Sequence, residues 1–110
     1  MTKNEIAKAI KEHTAWLEDN SKGKRADFTG KDIRRVDFSG IDLSGANFSG
    51  AKLSGANFKG AWLCNANLKG AFLCAADFSR ADLRKANLKG AFTSDIKLAG
   101  TLTTGTILAA

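Results

Sequence analysis

The sequence predicts an all-β solenoid whose backbone turns a corner every five residues, preceded by one α-helix. Three observations predict it. From Ala26 the chain keeps a five-residue beat for 17 consecutive pentads, with no insertion or gap. Ten of the 11 glycines fall on the fifth position of that beat, and the 110 residues include no proline. Ahead of the beat lies a stretch with helical spacing instead. A chain of this length makes one domain, divided into an N-terminal segment, 1–25, and a repeat, 26–110.

The N-terminal element comes first. Thr2 and Glu5 have the spacing of a capping box, in which each side chain bonds the other residue's backbone N–H. Ile6, Ile10, His13 and Leu17 follow on one helical face, flanked by Ala9 and Trp16, which predicts a helix over 3–18. Ser21-Lys22-Gly23-Lys24 ends it and leads into the repeat. An open coil end exposes apolar interior and unpaired backbone groups, so the helix is expected to lie across it as a cap. His13 is expected to be a packed cap residue using one hydrogen bond, in preference to a pH-sensitive contact.

In the repeat, the first position is Ala in 11 pentads, with Val36, Ile41 and Ile96 as larger substitutes. The third is Leu, Ile or Phe in 15, Thr93 and Thr103 being the exceptions. A period of five suits neither standard element. In an α-helix it would smear the apolar stripe around the cylinder. In a continuous strand it would throw alternate Leu and Phe residues onto opposite faces. Both failures vanish if the backbone turns once per pentad. Glycine at the fifth position fits such corners, because it adopts positive φ cheaply. The missing prolines fit sides that all donate amides to a neighbouring coil.

The repeated A-(D/N)-L-x-x pattern over 26–110 resembles the pentapeptide-repeat family. The His13, Trp16, Leu17 spacing, followed by Arg25-Ala26-Asp27, is similar to the helix that precedes many such domains. The resemblance implies a right-handed quadrilateral β-helix with four pentads per coil, and first and third positions inside. The 17 pentads would make a little over four coils. Residues one coil apart then stack. Phe38, Phe58 and Phe78 form an interior column continued by Leu98, and Phe28, Phe48, Leu68 and Leu88 form another continued by Leu108. Outside, Asp27, Asn47, Asn67 and Asn87 make a polar column, expected to form an amide ladder whose role is solvation and backbone capping and not the binding of a partner.

No catalytic constellation emerges, so the chain is not expected to be an enzyme, and no cofactor or metal is implied. Nucleophilic catalysis needs a nucleophile, a base and an orienting group within reach. Here Ser39, Ser44, Ser49, Ser54 and Ser79 all point outwards, and the one histidine lies on the helix. Asp77 and Asp82 are expected on adjacent faces in open solvent. No GxxxxGK[ST] phosphate loop occurs. Cys64 and Cys74 are two pentads apart and both at outward fourth positions, hence on opposite sides, too far for a disulfide. Two free thiols are expected, which with no apolar leader suggests the cytoplasm. No run is long and apolar enough for a membrane span, so no membrane partner is expected.

Three aromatic departures interrupt the polar second position before the last two pentads: Trp62, Phe72 and Phe92. Phe72 and Phe92 should stack beside Lys52 as a surface patch for a partner, and Trp62 should stand between Asp42 and Asp82. The expected function is a non-catalytic interaction or scaffold module. One alternative is modulation of DNA gyrase, as in quinolone-resistance members of the family. Those carry an acidic, DNA-like rod, whereas 26–110 holds 11 basic and 7 acidic residues, net +4, the wrong sign for a mimic. The other alternative is weak nucleic-acid binding through Lys69, Lys89, Arg84 and Lys85.

The last expectation concerns a partner that is the chain itself. Lys97 is the last charged side chain, and Leu98, Leu102, Ile107 and Leu108 follow. Soluble proteins guard open edges with lysine, proline or a cover, and nothing of the kind follows here. A two-fold homodimer joined at that end would cover both edges and close the assembly.

Overall fold

The computed structural model describes residues 1–109; Ala110, the end of the last pentad, lies outside the described residues. Helix α1 runs Lys3–Glu18. Its first turn carries the capping box: Glu5 N–H donates to Thr2 Oγ1 at 3.1 Å and Thr2 N–H to Glu5 Oε1 at 2.8 Å. Among the described residues, the one ladder long enough to count as strands is β1, Asn87–Lys89, paired in parallel with β2, Ile107–Ala109. Elsewhere the chain is a succession of single parallel bridges, each between second-position residues 20 apart, from Asp27↔Asn47 to Asp82↔Leu102.

The pentad can be derived from where its five N–H groups go. The third-position N–H donates to the second-position carbonyl of the next coil, as Phe28 does to Asn47 at 2.7 Å. The fifth donates to the next fourth-position carbonyl, Gly30 to Ser49 at 2.9 Å. The second reaches back to the previous coil, Asn47 to Ala26 at 3.0 Å, and the first closes a local turn, Lys31 to Phe28 at 3.0 Å. That leaves the fourth. A second-position Asp or Asn accepts it on Oδ1, as Asn67 does from Lys69 at 3.0 Å. All ten second-position Asp and Asn residues make this bond. Buried or crowded backbone groups must be paired, so the polar second position completes the accounting. The column Asp27, Asn47, Asn67, Asn87 caps the backbone as expected, but the amide ladder does not form: no side-chain bond joins its members among the described residues, because each Oδ1 turns to its own fourth-position N–H.

Every fifth position from Gly30 to Gly105 has φ between 59° and 77°, including six non-glycines such as Arg35 and Ala75. The corner is thus set by the coil, and glycine only makes it cheap.

Inside, the third positions from Phe28 to Leu88 are at most 1% exposed, and the Ala residues at first positions fill the space between them. The phenyl rings stack down each column: Phe28–Phe48 at 5.0 Å, Phe38–Phe58 at 5.1 Å and Phe58–Phe78 at 4.8 Å. Neighbouring columns meet edge to face, as in Phe48–Phe58 at 90°. Both arrangements suit the ring quadrupole. Leu98 is half-buried, while Leu108, expected to extend its column, is exposed, since its coil has no described layer above it.

Helix α1 packs on the first coil through Ile6, which joins the core cluster, and through the fully buried His13. His13 makes two hydrogen bonds, correcting the expectation of one. Ala26 N–H donates to its Nδ1 at 2.9 Å, and its Nε2 lies 2.9 Å from Ser44 C=O.

Candidate functional site

Phe72 and Phe92 stack at 4.8 Å and 5° on the outside of the coil, 40% and 53% exposed. Their column is Asp32, Lys52, Phe72, Phe92, in that order. An aromatic at the second position cannot accept the fourth-position N–H, so Cys74 and Ser94 have no side-chain cap of the kind Asp and Asn provide. The aromatic residues thus replace a structural bond with apolar surface. Below them, Arg34 grips Asp32 bidentately, Nε and one terminal nitrogen each at 2.8 Å, and holds that carboxyl down at about 2. A shallow groove beside this ridge is lined by Arg34, Arg35, Ser54, Gly55, Cys74 and Ala75.

Trp62 is 50% exposed but belongs to another column, between Asp42 and Asp82. The structure therefore does not unite Trp62, Phe72 and Phe92 in one patch.

Asp77 and Asp82 both correct the expectation of open solvent: Asp77 is partly covered, with Lys59 over it, and Asp82 is 6% exposed. Trp62 and Leu102 flank it along its column, and Arg84 folds back over it, Nη2 to Oδ2 at 2.6 Å. That guanidinium holds the Asp82 carboxyl at about 2. The pair occupies one cation of the supposed basic stripe. Burial, then the neighbouring Asp82, pushes the Cys64 thiol up, away from reactive thiolate. Cys64 and Cys74 are both free. The Asp-x-Arg spacing, shared by Asp32-Arg34 and Asp82-Arg84, was the signal available for these pairs.

The linkage has a definite sign. A carboxyl held low in the fold, against about 3.9 unfolded, stabilises fully above that value and loses the contribution as pH falls toward 2. Arg84→Ala is therefore expected to be less stable than the parent at pH 7, with the gap narrowed at pH 2.5. Urea unfolding at the two pH values reads it, and an unchanged gap would refute the coupling.

Leu102, Ile107 and Leu108 are each half-exposed at the C-terminal end, and Leu98 lies half-buried below them. The third- and fifth-position N–H groups of Thr93, Asp95, Leu98, Gly100, Thr103 and Gly105 have no backbone partner among the described residues. Thr101 and Thr106 turn their hydroxyls down onto Phe78 and Leu83 carbonyls. Among the described residues no three His, Cys, Asp or Glu gather as a metal site, and no helix is long and apolar enough to cross a membrane.

Comparison with known proteins agrees with this geometry. The family model for pentapeptide repeats matches residues 24–60, 32–70 and 60–92, in eight copies. The chain belongs to the pentapeptide repeat family, and its coil is a right-handed β-helix. A pentapeptide repeat protein of Nostoc PCC 7120 superposes with a TM-score of 0.54 at 25% identity, over 94% of this chain and 95% of its own. One from the Arabidopsis thaliana thylakoid lumen is 42% identical over 68% of this chain, TM-score 0.48, and the chain spans 56% of its length. The plasmid-mediated fluoroquinolone resistance protein QnrB1 is 30% identical over 78% of this chain and 50% of its own, TM-score 0.40. Among curated proteins none matches the sequence.

Proposed function

We propose that the chain is a non-catalytic interaction module: a four-sided β-helix of about four coils, 26–110, capped by the helix of segment 1–25. The observation that carries the reading is the exposed Phe72–Phe92 stack, which gives up a backbone cap to present two phenyl edges to solvent. A protein partner would dock on that ridge. A second copy would cover the other apolar surface, the end bearing Leu98, Leu102, Ile107 and Leu108, about a two-fold axis. A cytoplasmic setting, read from the free thiols, belongs to the same proposal.

Size exclusion with light scattering tests the self-association. A dimer at tens of micromolar is expected, split by Leu102→Lys with Ile107→Lys and unaffected by Phe72→Lys with Phe92→Lys. A monomer refutes it. The ridge is tested by capture from host extract, which the Phe72→Lys, Phe92→Lys variant should lose and the dimer-splitting variant should keep.

A second reading, suggested by membership of the family that includes the quinolone-resistance proteins, is modulation of a topoisomerase. The net +4 of the repeat opposes it. No effect on gyrase supercoiling at tens of micromolar would remove that reading. Weak nucleic-acid binding is opposed by the Asp82–Arg84 pairing.

A further inference from the structure

Within the coil, a fourth-position carbonyl is bonded by the fifth-position N–H of the coil before it, as Cys64 C=O is by Gly45 N–H at 2.9 Å. A first-position N–H bonds a third-position carbonyl three residues back, Ala46 to Leu43 at 3.0 Å. At the first coil neither partner exists for Ser44 C=O and Ala26 N–H. One imidazole replaces both. Because a backbone N–H can only donate, the Ala26 bond makes His13 Nδ1 the acceptor. The proton therefore sits on Nε2 and is donated to Ser44 C=O. The ring is fully buried and lies 5.3 Å from the Trp16 ring, which covers Gly45.

We propose that His13 is a pH-operated latch: its neutral ring holds helix α1 against the first coil, and protonation at Nδ1 releases the helix while the coil stays folded. A proton on Nδ1 would face the Ala26 N–H donor to donor, and the ring would carry a charge in a buried place. Two charged groups bear on the ring: Asp42 of the first coil favours the cation and Arg25 of the linker opposes it. Burial outweighs them and sets the His13 pKa below its ordinary value. The sign follows. A histidine held neutral in the fold contributes its docking fully above the unfolded value, about 6.5. The contribution is lost as pH falls from there toward the lowered folded value.

The other holds on α1 are Ile6 in the core cluster, Ala9 and Ile10 packed against it, Trp16 over Gly45, and Lys24 N–H on Glu12 C=O at 3.0 Å, and only the histidine among them takes up a proton. The coil titrates elsewhere. Asp27, Asp37 and Asp77 are held below the ordinary carboxylate range by bonds from Thr29, Ser39 and Ser79, and Asp32 and Asp82 stand at about 2. These carboxyls, with Glu5 of the capping box and Asp19 beyond the helix, which are also held low, stay charged between about pH 4.5 and 6.5, where the histidine takes up its proton. Release bares the first coil's edge, which is otherwise guarded.

The test is an NMR titration of the His13 ring on the full chain, with hydrogen-exchange protection factors for 3–18 and 46–88 at each pH. As His13 protonates below pH 6.5, protection of 3–18 is expected to fall at least about tenfold while that of 46–88 holds. In His13→Gln the helix should show the same protection at pH 7.5 and 4.5, whatever its level. Three results overturn the latch. They are a His13 that protonates with the helix still protected, a His13 still neutral at pH 4.5, and a His13→Gln variant that keeps the parent's pH-dependent fall.

Discussion

Phe58→Ala is expected to cost about 3–5 kcal/mol of unfolding free energy, the range for deleting a large side chain from a close-packed core. The ring is fully buried, stacked on Phe38 at 5.1 Å and on Phe78 at 4.8 Å, and meets Phe48 edge-on at 5.8 Å. Coil-to-coil hydrogen bonds fix the spacing along the column, so the neighbours cannot collapse into the space left by the ring. Lys59, the next residue, points outwards and holds Asp77 at 3.6 Å, with 61% of its side chain exposed. An ion pair so exposed is worth under about 1 kcal/mol, and Lys59→Ala should cost no more. Urea unfolding of the two variants checks the contrast. Comparable losses would mean that the inward and outward positions have been assigned the wrong way round.

The inside of this protein was legible because its period leaves no freedom. Once a corner is placed every five residues, Phe28, Phe38, Phe48, Phe58, Leu68, Phe78 and Leu88 can only point inwards, and all are buried. The helix was legible for a similar reason, since its cap and apolar face are both local patterns. The surface was harder. Asp82 has the same place in its pentad as Asp77, yet Asp82 is buried where Asp77 is only partly covered, because its column neighbours are Trp62 and Leu102 and Arg84 reaches back over it. That depends on residues 20 away in sequence and on a side-chain rotamer, neither of which a pentad pattern displays. The second bond of His13 was hidden in the same way. It needs the path of the linker to Ala26, and nothing in residues 19–25 states that path.

Gly23, the one glycine off the pentad beat, is where the linker path is enforced, and Gly23→Ala is expected to be the most damaging single-methyl addition in the chain. Gly23 sits at φ +63°, and a Cβ there would stand 2.3 Å from Glu12 O, 2.7 Å from Ala15 Cβ and 2.8 Å from Trp16 N. Two of those atoms are helix backbone, which cannot swing aside as a lysine tip would. The crowded Glu12 carbonyl is also the acceptor for Lys24 N–H, so relief would require the linker to leave the helix and give up that bond. Left-handed backbone costs a residue with a Cβ about 1–2 kcal/mol, and overpacking adds about 1–3 kcal/mol. Gly30 separates the two contributions: it has φ +67° and nothing within 4 Å of a built Cβ, so Gly30→Ala should show the conformational part alone. Thermal unfolding of the pair is the measurement, with Gly23→Ala expected to lose at least about twice as much stability. In hydrogen exchange, Gly23→Ala should deprotect residues 3–18 at neutral pH, where His13 is still uncharged. If both variants lose the same stability, Gly23 is an ordinary corner glycine and the linker does not pack against α1 in the way described.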